Sequence, residues 1–303
     1  MEKSMHRFMK PGTILGVSYK ELGQGSGPIL ETLKKLVTDP YFECIELSHM
    51  QDPEVFRQAA EMIHTANMVT AIGGQGRLLG PGLNINDLDE DRRRQAVETL
   101  KDGIDEAYIA GAVDFQFLAG RYETDTMEAS MQALFRSTEE LCAYAASKGD
   151  LKIVCEVFDY DVAKKSLIGP VDRVKRYAET IGRKYDNFGI QVDLSHIPIL
   201  RESIEESILP IAKYIKHAHI GNAVVADPSY PAYGDEHPRF GFPHSEVGKP
   251  EIVKFLRTLL EIGFLNEDDP PIVSFEVKPF GAEDPDVVLA NAKRTLDRAW
   301  ELV

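Results

Sequence analysis

Cysteine is scarce in this chain of 303 residues: Cys44, Cys142 and Cys155 are the only three. An odd count at such wide spacing fits neither a disulfide framework nor a cysteine-built zinc cluster, and it points to a reducing cytoplasm. Long apolar runs are also missing. The first apolar stretch, Ile14 to Val17, is far shorter than a signal-peptide core, and nothing later approaches the ~18 consecutive apolar residues of a membrane span. Positive charge is in the minority, with 34 Lys plus Arg against 49 Asp plus Glu, and a net charge of −15 repels polyanions. Neither nucleic acid nor membrane is therefore expected as a partner. No Gly-x-Gly-x-x-Gly follows the first strand candidate to mark a dinucleotide site, and no Pro/Gly/Ser-rich linker divides the chain. One soluble domain over residues 1–303 is the economical reading.

What is present is alternation. Short runs rich in Val, Ile and Phe take turns with longer segments whose apolar residues recur at three and four. The strand candidates are Ile14 to Tyr19, Glu43 to Leu47, Met68 to Ile72, Val113 to Leu118, Lys152 to Phe158, Gly189 to Leu194, Ile215 to Ile220 and Ile272 to Val277. Helical spacing fills the gaps, and several helix candidates, at Pro28, Pro53, Pro170, Pro250 and Pro285, begin with the proline that suits a first helical position. Eight strands in strict alternation predict parallel pairing with right-handed crossovers, and thus an α/β fold of the (β/α)8 TIM-barrel type. The long irregular stretch 222–248 after strand seven is predicted to cover a ligand at the barrel's active face. The glycines at positions 73, 74, 76, 80 and 82 read as a flexible loop after strand three.

In such a barrel the working side chains project from the C-terminal ends of the strands. Strand five reads KIVCEVFD with Glu156, strand six GIQVDLSH with Asp193 and His196, strand seven IKHAHIGN with His217 and His219, and strand eight IVSFEVKPF with Glu276. An unpaired carboxylate among apolar strand residues costs several kcal/mol, so three of them mark a site rather than chance burial. Glu156, Asp193, His219 and Glu276 form a hard, oxygen-rich ligand set for one divalent ion, Mn²⁺ first, with Mg²⁺, Co²⁺ or Zn²⁺ as alternatives. His217 and His219 face the same side of their strand. His219 lies nearer the C-terminal end and is the candidate ligand, while its neighbour would fill a barrel layer. Glu46, His49, Gln116 and Lys278 sit where they could touch substrate, and Arg239, His237 and His244 lie on the loop that would reach over the metal. Cys155 faces away from Glu156 and reads as packing.

Glu156, the Asp193-x-x-His196 pair, His219 and Glu276, in that order, resemble the xylose-isomerase-like TIM barrels, the superfamily of sugar isomerases, ketose 3-epimerases, inosose-handling enzymes and apurinic-site endonucleases. For the ketose-epimerase branch the resemblance implies that Glu156 and Glu276 bind the metal and act as base and acid on opposite sides of a sugar carbon. It implies that the metal grips the substrate oxygens and stabilises an enediolate, with His196 bonding a hydroxyl beside it. The sequence departs from that branch after Glu156, where VFDYDVAKK replaces an Asn-Arg-Phe-Glu-like run, and after His219, where the loop is expanded. A metal-dependent isomerase or epimerase acting next to a carbonyl of a carbohydrate is the leading expectation, with homo-oligomers common in the family. A lyase or dehydratase on an inosose or 3-oxo-glycoside is the alternative. An apurinic-site phosphodiesterase is disfavoured by the charge and by the absence of histidines on strands three and four, and a non-catalytic sugar-binding barrel by the complete ligand set.

Overall fold

The computed structural model describes residues 3–303. Eight parallel strands, β1 (Lys10–Ile14), β2 (Cys44–Ser48), β3 (Val69–Gly73), β4 (Asp114–Leu118), β5 (Lys152–Glu156), β6 (Phe188–Asp193), β7 (Ile215–Gly221) and β8 (Ile272–Glu276), follow one another round a closed barrel. β8 pairs with β1 to complete it. The outer ring consists of α1 (Ile29–Val37), α2 (Pro53–Thr65), α3 (Glu90–Ile109), α4 (Met127–Ala146), α5 (Val171–Gly182), α6 (Ile204–Ile208), α7 (Lys249–Glu261) and α8 (Pro285–Trp300). Asp52, Asp89 and Asp284 cap α2, α3 and α8 by accepting backbone N–H groups of the first turn, which fixes where each helix starts. The apolar layer between barrel and helices is continuous and includes Phe115, Phe117, Tyr177, Phe255 and Phe275, all fully buried.

The first strand differs from expectation. Pro11 and Gly12 argue against a strand in general, because one lacks a donor and the other a side chain. Here neither is a defect: Lys10 N donates to Pro271 O and Glu43 N to Pro11 O, so the ladder is kept on both sides. A Cβ on Gly12 would come within 2.4 Å of Ser274 Oγ and 3.0 Å of Cys44 Cβ, so only glycine lets β1 approach its neighbours this closely. The apolar run read as strand one instead leaves the barrel as a single helical turn, Leu15–Ser18.

The glycine-rich segment after β3 also differs, since it carries a short helix at Gln75–Leu79. Gly74 fixes its start: a Cβ there would meet Phe115 Cζ at 2.4 Å and Gln116 O at 2.8 Å. The barrel interior is unusually polar for a fold whose inner layers are mostly Val, Ile and Leu. Glu46, Asp114, Gln116, Gln191 and His217 all lie inside it with 2% exposure or less.

Candidate active site

Strand register assembles the donors. β6 and β7 place Asp193 beside His219, β7 and β8 place Gly221 beside Glu276, and β5 and β6 place Glu156 beside Gln191. One donor atom from each of Glu156, Asp193, His219 and Glu276 lies within 4.8 Å of the others. His219 Nδ1 stands 2.7 Å from Glu276 Oε2 and 3.7 Å from Glu156 Oε1.

Half of this constellation is tied down and half is free. Asp193 Oδ1 accepts the N–H of Ser195 at 2.7 Å, and Glu156 Oε2 accepts from Gln75 Nε2 at 2.7 Å. The other two oxygens, Asp193 Oδ2 and Glu156 Oε1, are buried with no hydrogen-bond partner among the described residues. Two orphaned carboxylate oxygens converging in a buried site leave a charge deficit that a cation would satisfy, so the residues present fit a divalent ion. Burial pushes the Glu156 carboxyl up to about 7, and the nearby charge of Glu276 adds to the rise. Burial likewise raises Asp193. Glu276 is part-buried, and His237 and His219 hold it well below the usual carboxylate range.

A second donor set shares Asp193. His196 Nε2 and His237 Nδ1 each lie 3.8 Å from the orphaned Asp193 Oδ2, and the three residues together could hold an ion. Between the two rings sits Asp235, whose Oδ1 is 3.0 Å from His196 Nε2 and 2.7 Å from His237 Nε2, with Lys164 paired to the same carboxylate. His196 Nδ1 donates to Val157 O at 2.7 Å, so both of its ring nitrogens face acceptors. Burial opposes a charge on that ring, but Asp193 and Asp235 outweigh it and push its pKa up to about 10.

The 222–248 segment supplies Asp235 and His237. Val224 bridges to Tyr233 and Gly234, and Lys278 N donates to His237 O at 2.9 Å. His237 adopts φ 44°, a left-handed conformation uncommon outside glycine, with its ring buried and bonded to Ser195 Oγ at 3.1 Å. Above the donors opens a cavity of about 270 Å³. One wall comes from Ile14, Gly16, Val17 and Gly23, another from Gln75 and Leu79, and the floor from Glu156, His219 and Glu276.

The residues expected at the site divide three ways. Glu46, Gln116 and Lys278 line the cavity, but Glu46 and Gln116 bond chiefly to one another and to the barrel histidines, and Lys278 Nζ pairs with Glu236 at 2.7 Å. His196 packs beside the donors, beneath Phe158. His49 and Arg239 are not brought in. His49 is half exposed between Arg77 and Glu106, and Arg239 bonds to Glu283 Oε1 at 2.8 Å. His244 stacks on Tyr230. Gln75 and Asp235 were missed altogether: Gln75 stood in a glycine-rich stretch read as a loop, and the only signal for Asp235 was its Asp-x-His spacing from His237.

The chain matches the xylose isomerase-like TIM barrel family over residues 40–298 and belongs to it. Solved structures share the fold along nearly the whole chain. A D-tagatose 3-epimerase-like protein superposes with a TM-score of 0.72 at 18% identity, over 97% of this chain and 99% of that one. The IOLI protein with a bound zinc atom gives 0.71 at 18%, over 96% and 98%. The 3-keto-D-glucoside 4-epimerase YcjR of E. coli gives 0.66 at 16%, over 96% and 99%. No curated protein matches the chain.

Proposed function

We propose that the protein is a divalent-metal-dependent isomerase or epimerase of a small sugar or keto-polyol, working by proton transfer next to a carbonyl. The observation that carries this reading is the convergence of four strand-end donors, two of them with orphaned buried oxygens, on the floor of one cavity. Glu156, Asp193, His219 and Glu276 would hold the ion. When bound, it supplies Lewis-acid polarisation of the substrate carbonyl, which acidifies the adjacent C–H.

The protein's own residues do the rest. Glu156 and Glu276 come from strands at opposite ends of the donor row and both line the cavity, so one carboxylate can take the proton from carbon and the other return it on the opposite face. Gln75 donates to Oε2 of Glu156 and so orients this carboxylate, leaving Oε1 to face the ion. Phe158, Ile14, Val17 and Leu79 give the cavity apolar walls that limit water around the reacting carbon. Its volume of about 270 Å³ lies just below the ~300–1,000 Å³ usual for ligand pockets, which suits a single monosaccharide-sized substrate. Both lining lysines are already paired, Lys164 with Asp235 and Lys278 with Glu236, which favours a substrate without phosphate. The oxygen-rich donor set suits Mn²⁺ or Mg²⁺, and three buried free thiols suit the reducing cytoplasm.

Glu276→Gln tests the mechanism. The Mn²⁺-loaded wild type should exchange deuterium from solvent into a ketose substrate, and the variant should lose that exchange by about 10²-fold or more. Exchange retained in the folded variant would remove Glu276 from the reaction. Analysis of the product for lost water or aglycone separates isomerisation from elimination.

A further inference from the structure

Beneath the donor floor lies a column of ionisable side chains that proton transfer at the substrate does not require. His219 Nε2 stands 3.2 Å from both oxygens of Glu46. Glu46 Oε1 also accepts from His217 Nε2 at 2.9 Å, and its Oε2 from Gln116 Nε2 at 2.8 Å. His217 Nδ1 in turn donates to Asp114 Oδ2 at 2.9 Å. Asp114 reaches the opposite mouth of the barrel, where it borders a cavity of about 510 Å³. Buried ion networks of this kind are poor stabilisers, and apolar replacements of similar volume are often as stable or more so. Four such residues in the layers that Val, Ile and Leu usually fill therefore need a reason other than stability.

We propose that Glu46, held in place by His217, Gln116 and Asp114, is a positioning residue that fixes the ring of His219 as a metal ligand. The proposal rests on the metal-centre reading given above. A carboxylate only accepts hydrogen bonds, so the ring nitrogen facing it must carry the proton. Nδ1 also faces a carboxylate, Glu276 Oε2 at 2.7 Å, with Gln191 Nε2 3.0 Å away, so it is the Nδ1 proton that an ion would displace while Glu46 keeps the proton on Nε2. Glu46 cannot swing away, because each of its oxygens is also held from the far side, by His217 and by Gln116.

Glu46→Gln keeps the shape but gives one of those positions an amide donor, so three donors compete for a single acceptor oxygen. The variant should fold, as circular dichroism would show, and bind Zn²⁺ about 10–100-fold more weakly than wild type in a chelator-competition titration. In ¹⁵N-histidine spectra of the same proteins, the Nε2 proton of His219 should be present in wild type and displaced or lost in the variant. Asp114→Asn acts through His217 at the far end and should weaken Zn²⁺ in the same direction by less, which keeps the idea testable if Glu46→Gln does not fold. Zn²⁺ affinity within twofold of wild type together with an unchanged His219 resonance would overturn the proposal. Wild type that binds no Zn²⁺ would instead count against the metal-centre reading, and the His219 resonance, measurable without metal, would still decide whether Glu46 fixes the ring.

Discussion

The free oxygen of Glu156 has a consequence for pH. Its carboxyl is raised from 4.5 to about 7 by burial and by Glu276. A group raised in the folded state contributes stability that is full below its unfolded value and is lost as pH rises through the folded value. Metal-free protein should therefore lose stability between about pH 5 and pH 7.5, and Asp193, also raised, acts in the same sense. The contribution from Glu276, whose value is depressed, is lost only as pH falls below the usual carboxylate range, outside this window. His196, raised to about 10, loses its contribution at higher pH. Thermal melts of chelator-treated protein across that range should show a decline that Glu156→Gln flattens and that added Mn²⁺ abolishes; a flat wild-type profile would contradict the assignment. Glu156, Asp193, His219 and Glu276 were legible in the sequence because charged residues inside Val/Ile/Phe runs are conspicuous. The position of Arg239 was not, because the direction in which a loop side chain points depends on local backbone conformation, such as the left-handed His237 two residues earlier, rather than on distance along the chain.

At the scale of elements, the strands and helices of the second half lie where hydrophobic period placed them, and the departures fall where glycine and proline act through close approach. β1 looked unlike a strand because Gly12 serves its close approach to the two neighbouring strands, at Cys44 of β2 and Ser274 of β8, which no local pattern reveals. The helix at Gln75–Leu79 was hidden for the same reason, since Gly74 is demanded by Phe115, a residue of another strand. This yields a paired prediction. Gly74→Ala forces a Cβ onto Phe115 and should cost about 1–3 kcal/mol while shifting Gln75 away from Glu156. Gly76→Ala, in the same helix, meets nothing within 4 Å and should be neutral or stabilising by up to about 1 kcal/mol. Denaturant unfolding of both variants checks the contrast, and equal losses would show that the close approach at Gly74 is not what fixes this helix.

For the molecule as a whole, an ion that binds only the folded chain adds to its stability. At a free concentration of about 100 times Kd the gain is roughly 2.7 kcal/mol. Removing metal should thus lower the Tm of wild type by several degrees and leave Asp193→Ala unchanged, with metal content near one ion per chain in the former and none in the latter. Two ions per wild-type chain would mean that a second donor set is filled as well, either Asp193, His196 and His237 or Glu46, His217 and His219. The absence of any change in Tm or metal content would argue for a barrel that binds its ligand without an ion.

All four candidate metal donors belong to β5, β6, β7 and β8, whereas the opposite wall of the cavity is built from segments following β1 and β3. The candidate donors and the wall facing them therefore come from different halves of the polypeptide, joined by Gln75 and Glu46, which bond to Glu156 and His219. On the proposed reading, Ile14, Val17 and Leu79 can change and reshape which sugar fits, while Gly74, Gln75 and the donors of the other half stay as they are. A barrel divided in this way gives evolution, or a designer, a few variable wall positions facing a constant row of donors.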